Sequence, residues 1–155
     1  MARAPLLQIS DIALTFGGDP VFEDLSLVVQ PGDRVALVGR HGSGKSTLMK
    51  IIYGVVKPDQ GQILWDGQPV QISSPAAARQ LGIGMVFQHF SLFDTLTVTE
   101  NIALGLPAST NMQELAGRIS ETASQYGLDL DPQRHIHTLS VGECQRVETV
   151  RALLG

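Results

Sequence analysis

Apolar and polar residues alternate roughly over the first thirty positions of the chain, a period typical of strands with one buried face. The pattern predicts one strand in residues 6–16 and a second in residues 21–30, with a Gly-Gly-Asp-Pro turn between them. Residues 61–72 predict a hairpin around Asp66 and Gly67. Strands are therefore expected to dominate the first part of the chain.

Two short apolar runs interrupt the alternation, at residues 34–39 and 83–88. Continuous apolar runs of this length are typical of the buried strands of a parallel sheet, so both are predicted to be buried strands. A helix is expected after the first run, because apolar residues recur there at helical spacing: Leu48, Ile51, Ile52 and Val55.

The pattern becomes helical in the second part of the chain. One predicted helix carries a single apolar face, formed by Met112, Leu115, Ile119, Ala123 and Tyr126. Thr110 and Gln113 predict a capping box at its start, and Gly127 predicts its end. A last helix is expected from Ser140. We place the boundary between two subdomains near residues 88–95, which divides the chain into residues 1–88 and residues 89–155.

Charge changes this picture locally. The 155-residue chain is acidic, with a net charge of −4, and this balance argues against a partner made of nucleic acid. Residues 34–57 nevertheless hold five of the eleven Lys and Arg residues and no Asp or Glu. A basic island in an acidic protein indicates a small anionic ligand.

The basic island contains the stretch GRHGSGKST, residues 39–47, which we call the phosphate loop. It matches the pattern G-x-x-x-x-G-K-[ST] at Gly39, Gly44, Lys45 and Ser46, between a predicted strand and a predicted helix. Glycines let successive backbone N–H groups point inward at an anion, and the helix N-terminus adds partial positive charge.

The loop predicts the phosphate-binding residues of a nucleotide site: Gly39, Arg40, His41, Gly42, Ser43, Gly44, Lys45, Ser46 and Thr47. Lys45 is expected to reach the β- and γ-phosphates, and the Ser46 hydroxyl to bind Mg²⁺. The loop alone leaves the chemistry open, because kinases, GTPases and transport ATPases share it.

Four features in order make the chain similar to the ATPase subunit of an ABC transporter. The phosphate loop is the Walker A motif of that family. The resemblance implies that Phe16, in LTFGG, stacks on adenine. It also implies that Gln88, in GMVFQ, is the catalytic glutamine that meets the Mg²⁺ and the attacking water. The fourth feature is LSVGE, residues 139–143, which resembles the signature motif L-S-G-G-Q and is called the signature segment here.

The signature segment also has a local interpretation, because Ser140 and Glu143 have the spacing of a capping box. Both interpretations are compatible, since a helix start exposes backbone N–H groups that suit a phosphate. In the family, Ser140, Val141, Gly142 and Glu143 would cover the ATP held by a second subunit. Val141 and Glu143 depart from the family pattern, and Glu143 brings a carboxylate near phosphate that capping must offset.

The resemblance implies an α/β fold: a P-loop NTPase core with an antiparallel β subdomain and a helical subdomain. It implies ATP and Mg²⁺ as cofactors and a peripheral location on the cytoplasmic face of the inner or plasma membrane. The implied partners are a second ATPase domain, in a homodimer or in tandem, transmembrane permease subunits and, indirectly, a solute-binding protein. The sequence of residues 81–105 and 139–154 is similar to that of importers of simple sugars or nucleosides.

Residues 89–97 are called the docking segment here, because the family resemblance implies that they meet the permease. Phe90, Leu92 and Phe93 are expected either to contact a membrane-protein helix or to pack against the helical subdomain. Both possibilities are open from the sequence.

The motifs that the family places after the signature helix, an apolar Walker B strand ending in Asp, a water-polarising Glu and a switch His, do not occur in these 155 residues. Asp66 ends an apolar run but lies in a predicted hairpin. His135 and His137 precede the signature segment and are expected in a surface loop. We therefore expect a partial ABC ATPase domain, truncated before the Walker B strand, that hydrolyses ATP poorly alone. The alternatives are a non-catalytic nucleotide-binding fragment and a soluble ABC-type ATPase acting on nucleic acid or ribosomes.

Overall fold

The computed structural model describes residues 3–155 and divides the chain into two compact units, residues 1–83 and residues 84–155. The elements of the first unit are β1 (Leu7–Thr15), β2 (Pro20–Val29), α1 (Lys45–Ile52), β3 (Gln60–Trp65), β4 (Gln68–Val70) and α2 (Pro75–Gln80). Those of the second unit are α3 (Val98–Ala103), α4 (Met112–Gln125), a single 3₁₀ turn (Ile136–Thr138) and α5 (Val141–Leu154).

The four strands form one antiparallel sheet in the order β2-β1-β3-β4. Ile9 lies at its centre, opposite Leu27 of β2 and Ile63 of β3, and is completely buried. The predicted hairpin is confirmed: Asp66 and Gly67 join β3 to β4 with φ angles of 49° and 78°. Positive φ at both turn positions is what a two-residue hairpin of type I′ requires.

Helix α1 packs on this sheet. Leu48 and Ile51 are buried in one cluster with sheet residues, and Ile52 packs against it, as the helical spacing predicted. The prediction is wrong at Val55, which lies after the end of α1 and is exposed. The other buried members of the cluster are Leu7, Ile9, Ile12, Leu14 and Ile63. Because α1 begins at Lys45, this packing fixes the end of the phosphate loop to the sheet.

The two predicted buried strands are wrong for the described residues. Residues 34–39 and 83–88 pair with no strand within residues 3–155. The apolar side chains of residues 34–39 are exposed, and those of residues 83–88 are half-buried or exposed. Val38, for instance, is 95% exposed. A parallel strand is stable only with neighbours that satisfy its backbone and cover its faces, and residues 3–155 supply none here.

The second unit is a small helical assembly. Its buried core joins α3, α4 and α5 with the 3₁₀ turn, through Val98, Ile102, Leu115, Ile119, Ala123, Ile136, Val147 and Val150. The predicted face of α4 is confirmed at Leu115, Ile119 and Ala123, but it is wrong at its two ends, because Met112 and Tyr126 are exposed. None of the helices in residues 3–155 combines the length and apolar character that crossing a membrane requires.

The predicted end of α4 is confirmed, whereas its predicted start is wrong. The N-cap is Asn111, whose Oδ1 accepts from the backbone N–H groups of Gln113 and Glu114 at 2.9 and 3.0 Å, so the predicted Thr110–Gln113 capping box is wrong. An Asn one position later satisfies the same orphan donors. At the other end Gly127 has φ 65°, and Leu128 N donates to Ala123 O at 2.8 Å. This is a Schellman ending, as Gly127 predicted.

Candidate functional site

The phosphate loop runs into the N-terminus of α1, which has no side-chain cap and no acidic residue in its first turn. The N-cap is Gly44 with φ 86°, and Gly42 also has a positive φ of 81°. A Cβ at Gly44 would lie 2.8 Å from the Phe22 ring. Glycine is therefore required at position 44 both by its backbone conformation and by the close approach of β2.

Lys45 folds back over the loop. Its Nζ donates to Gly39 O at 2.6 Å, to Arg40 O at 2.8 Å and to Ser43 Oγ at 3.0 Å. Ser43 N donates to Arg40 O at 3.2 Å, which closes the turn. The loop thus curls around an ammonium group, and three of its neutral oxygens accept the hydrogen bonds that this group could donate to a phosphate.

The remaining loop side chains are accessible. Arg40, His41 and Ser46 are exposed, and Thr47 is half-buried. The Ser46 hydroxyl is a hard oxygen ligand of the type Mg²⁺ prefers. No group of three or more His, Cys, Asp or Glu residues that could hold a metal occurs among residues 3–155. These residues fit a Mg²⁺ ion that arrives with nucleotide phosphates, since this ion usually keeps phosphate and water ligands.

Phe16 follows directly after β1 in the same unit and is 62% exposed. It is therefore not part of the buried core of this unit. The turn that carries Phe16 leads into β2, where Val21 and Phe22 approach the phosphate loop at Gly44. An exposed aromatic ring can offer a flat apolar face to a base.

Gln88 is exposed and lies in an irregular stretch of the second unit, whereas the phosphate loop lies in the first. The strand expected to carry it does not form in residues 3–155. Its amide can donate and accept hydrogen bonds, which is the chemistry needed to orient a water or complete a metal shell.

The signature segment opens α5 with the predicted capping box. Ser140 Oγ accepts from Glu143 N at 3.3 Å, and Glu143 Oε2 accepts from Ser140 N at 2.7 Å. The capping box is therefore confirmed. Arg134 Nη1 also donates to Glu143 Oε1 at 2.7 Å. The backbone and hydroxyl bonds to Ser140, assisted by Arg134, hold the pKa of the Glu143 carboxyl below its ordinary value.

Two residues of the signature segment face outward. Val141 is 69% exposed, and a Cβ added at Gly142 would meet nothing within 4 Å. The start of α5 is thus an open surface with a partial positive charge, whose nearest carboxylate is already bound to Ser140 and Arg134. Such a surface can receive an anion brought by another molecule.

The sequence reasoning missed the residues that organise the docking segment. Asn101 is buried and accepts from Phe93 N at 2.7 Å while donating to Phe93 O and Thr97 O, both at 3.0 Å. Glu148 is only 2% exposed and accepts from Ser91 N at 3.1 Å. The available signal was a polar residue inside an apolar helical face, such as Glu148 between Val147 and Val150.

A cavity of about 580 Å³ occurs in the first unit. It lies between the end of α1 and the β3–β4 hairpin, with Ile51, Ile63, Asp59 and Gln62 in its wall. None of the residues predicted to bind nucleotide lines it.

The chain is similar in sequence to known proteins. The ABC transporter family matches residues 22–155. The chain is 39% identical to the nucleoside import ATP-binding protein NupA of Lactococcus lactis, over 99% of this chain and 31% of the relative. It is 38% identical to the ribose import ATP-binding protein RbsA 2 of Streptomyces avermitilis, over 97% of this chain and 31% of the relative. The chain therefore spans about a third of the length of these curated relatives.

Solved structures are similar as well. An ATP-binding cassette of an ABC transporter superposes with a TM-score of 0.81 at 29% identity, over 97% of this chain and 65% of that one. The protein cbiO1 of Clostridium perfringens, part of an ABC transporter complex, gives a TM-score of 0.79 at 25% identity, over 97% and 62%. These matches confirm the predicted α/β fold of an ABC ATPase domain. From its phosphate loop, its signature segment and these matches, the chain belongs to the ABC transporter family, among the ATP-binding proteins.

Proposed function

We propose that the chain binds MgATP at the phosphate loop and serves as the nucleotide-binding part of an ATP-driven solute importer. The observation that carries the proposal is the loop geometry around Lys45, whose ammonium group lies against Gly39, Arg40 and Ser43 at the uncapped start of α1. When a phosphate binds, the Lys45 ammonium would exchange its hydrogen bonds to these neutral oxygens for hydrogen bonds to charged oxygens. Charge-assisted hydrogen bonds are the stronger kind.

Each predicted site residue has a role in this proposal. Lys45 and the loop N–H groups from Gly39 to Thr47 hold the phosphates, Ser46 binds Mg²⁺, and Phe16 stacks on adenine. Gln88 orients water and completes the metal shell. Held by these residues, Mg²⁺ would supply neutralisation of the charge on the transferring phosphate. Functionally we assign residues 1–88 to the nucleotide-binding part and residues 89–155 to the helical part.

The signature segment acts on a second molecule. Ser140, Val141, Gly142 and Glu143 form a lid over the ATP held by another ATPase domain, in a homodimer or in tandem. The open backbone around Gly142 and the internal neutralisation of Glu143 support this role. The two ATPase domains would then close when ATP binds and reopen after it is hydrolysed.

The import role rests on the relatives, whose names specify nucleoside and ribose import. We infer a simple sugar or nucleoside as the solute, permease subunits in the membrane as direct partners and a solute-binding protein as an indirect one. The chain would lie peripherally on the cytoplasmic face of the membrane. The docking segment supports a protein partner, because Phe93 is 60% exposed and Phe90 is exposed beside it, whereas Leu92 packs into the helical core.

We also propose that these 155 residues alone bind ATP but hydrolyse it poorly. Hydrolysis in the family uses a Walker B Asp and a water-polarising Glu, and neither motif occurs in this sequence. Asp66 does not replace them, because it occupies the turn of the β3–β4 hairpin. Removing the group that activates water costs rate rather than ground-state affinity.

Calorimetric titration with MgATP tests the binding site. Lys45→Ala should weaken binding at least about tenfold, the loss expected for hydrogen bonds to a charged group. Lys50→Ala is the matched control, since Lys50 is an exposed lysine in the last turn of the same helix. Equal affinities of the wild-type chain and the Lys45→Ala variant would contradict the proposal.

A further inference from the structure

The docking segment has no regular secondary structure between Ser91 and Thr95, yet side chains from other parts of its unit bind its backbone. Asn101 of α3 binds both the N–H and the C=O of Phe93. The rings of His137 and His135 contact Asp94 O at 3.0 Å and Thr95 O at 3.1 Å. The backbone is thus fixed while the Phe93 side chain points to solvent.

A further anchor is an ion pair on α5 between the buried Glu148 and the half-buried Arg151. Glu148 Oε1 accepts from Ser91 N, and Glu148 Oε2 accepts from Arg151 Nη2. Arg151 Nη1 donates in turn to Ser91 O at 3.3 Å. One residue of the docking segment therefore has both of its backbone polar groups bound by two side chains of a single helix.

A buried carboxylate is costly unless it is fully paired, and apolar residues of similar size often stabilise a fold equally well. Glu148 accepts hydrogen bonds from Ser91 and from Arg151, and Arg151 itself contacts Ser91. The charged Glu148 side chain thus holds the docking segment at a specific position against α5. An apolar side chain could not do this, because it forms no hydrogen bonds.

The same helix begins with the signature segment. Glu148 lies eight residues after Ser140, which corresponds to about 12 Å along the axis of an α-helix. Two helical turns therefore separate the anchor of the docking segment from the surface proposed to cover a second molecule's ATP. A displacement at Ser91 would be carried to Ser140 by one continuous helix.

We propose that Glu148 is a positioning residue that couples the docking segment to the signature segment through α5, with Arg151 as its partner. A permease that pushes on Phe90 and Phe93 moves Ser91, and the Ser91–Glu148–Arg151 contacts transmit the movement to the start of α5. This inference rests on the proposed function, because it assumes that the docking segment meets a membrane partner.

The test uses the complete subunit that contains this chain, reconstituted with its permease in vesicles, and compares solute transported per ATP hydrolysed. Glu148→Ala should lower this ratio at least about fivefold, the lower range of allosteric coupling, while MgATP affinity stays within about twofold of wild type. Glu148→Gln should recover part of the loss, because its amide oxygen still accepts from Ser91 N. Glu121→Gln, at an exposed carboxylate on α4, is the matched control and should behave as wild type.

A wild-type ratio in Glu148→Ala would overturn the inference, and so would a parallel loss of MgATP binding, which indicates general damage to the fold. Should Glu148→Ala fail to fold, Glu148→Gln decides, because it preserves shape and removes the charge that pairs with Arg151. When both variants fold, a ratio in Glu148→Gln that is lowered by less than in Glu148→Ala supports the inference. When only Glu148→Gln folds, any lowering of its ratio supports the inference. Failure of the wild-type subunit to assemble with the permease would instead refute the proposed function, before any variant is compared.

Discussion

Glu143 binds with both carboxylate oxygens inside its own unit, one to the Ser140 amide and one to the Arg134 guanidinium. These contacts explain how a carboxylate can occupy a motif proposed to face phosphate, because its charge is balanced before any ligand arrives. Arg134 is not part of any motif that we recognised in the sequence. It is brought to Glu143 by the fold, since it lies nine positions earlier, before the 3₁₀ turn.

The lowered pKa of Glu143 predicts a pH dependence of stability. Its bonds to Ser140 favour the ionised form in the folded state, so its contribution is fully present above the ordinary value of 4.5. The contribution is lost as the pH falls from 4.5 through the lower folded-state pKa. Urea unfolding of wild type and Glu143→Gln should therefore show a stability difference at about pH 7 that shrinks at about pH 3. A difference that stays constant across this range would contradict the proposed role of the carboxylate.

At the scale of elements, the ends of α4 were specified by very few residues. Gly127 adopts φ 65° at the C-terminal end, and a Cβ there would meet no atom within 4 Å. Gly117 lies in the middle of the same helix, also with open space around its Cα. The two glycines differ in backbone conformation and not in packing, and this makes them a matched pair.

Alanine at these two positions should have opposite effects on stability. Gly127→Ala should destabilise the chain by about 1–2 kcal/mol, because an L-residue is strained at this φ. Gly117→Ala should stabilise it by about 0.5–1 kcal/mol, because alanine loses less conformational entropy in a helix. Chemical denaturation of the two variants measures both effects. Destabilisation of similar size in both would show that position 127 has no special conformational requirement.

Local signals predicted the elements whose partners are close in sequence. The Asp66-Gly67 hairpin, the stop at Gly127 and the capping box of Ser140 and Glu143 all depend on contacts within a few residues. Residues 34–39 and 83–88 were predicted wrongly because an apolar run reports a preference for burial, whereas a parallel strand needs distant partners. The same limit hid the Glu148–Ser91 contact, which joins positions 57 residues apart.

At the scale of the whole molecule, the two halves of the proposed nucleotide chemistry belong to different compact units. The phosphate loop lies in residues 1–83, and both Gln88 and the signature segment lie in residues 84–155. The family was predicted from contiguous motifs and is confirmed by the relatives. Both halves of the nucleotide chemistry stay predictions, each made from a contiguous stretch with its own backbone chemistry. The side chains that fix the docking segment were not predictable, since they act through the fold.

The central claim is that ATP binds at the phosphate loop, and amide hydrogen exchange with and without MgATP tests it most directly. The predicted result is slower exchange across residues 39–47, where backbone N–H groups would bind phosphate. The Lys45→Ala variant should lose this protection at the same nucleotide concentration, and Lys50→Ala should keep it. Unchanged exchange in residues 39–47 at saturating MgATP, or protection confined to another part of the chain, would contradict the account.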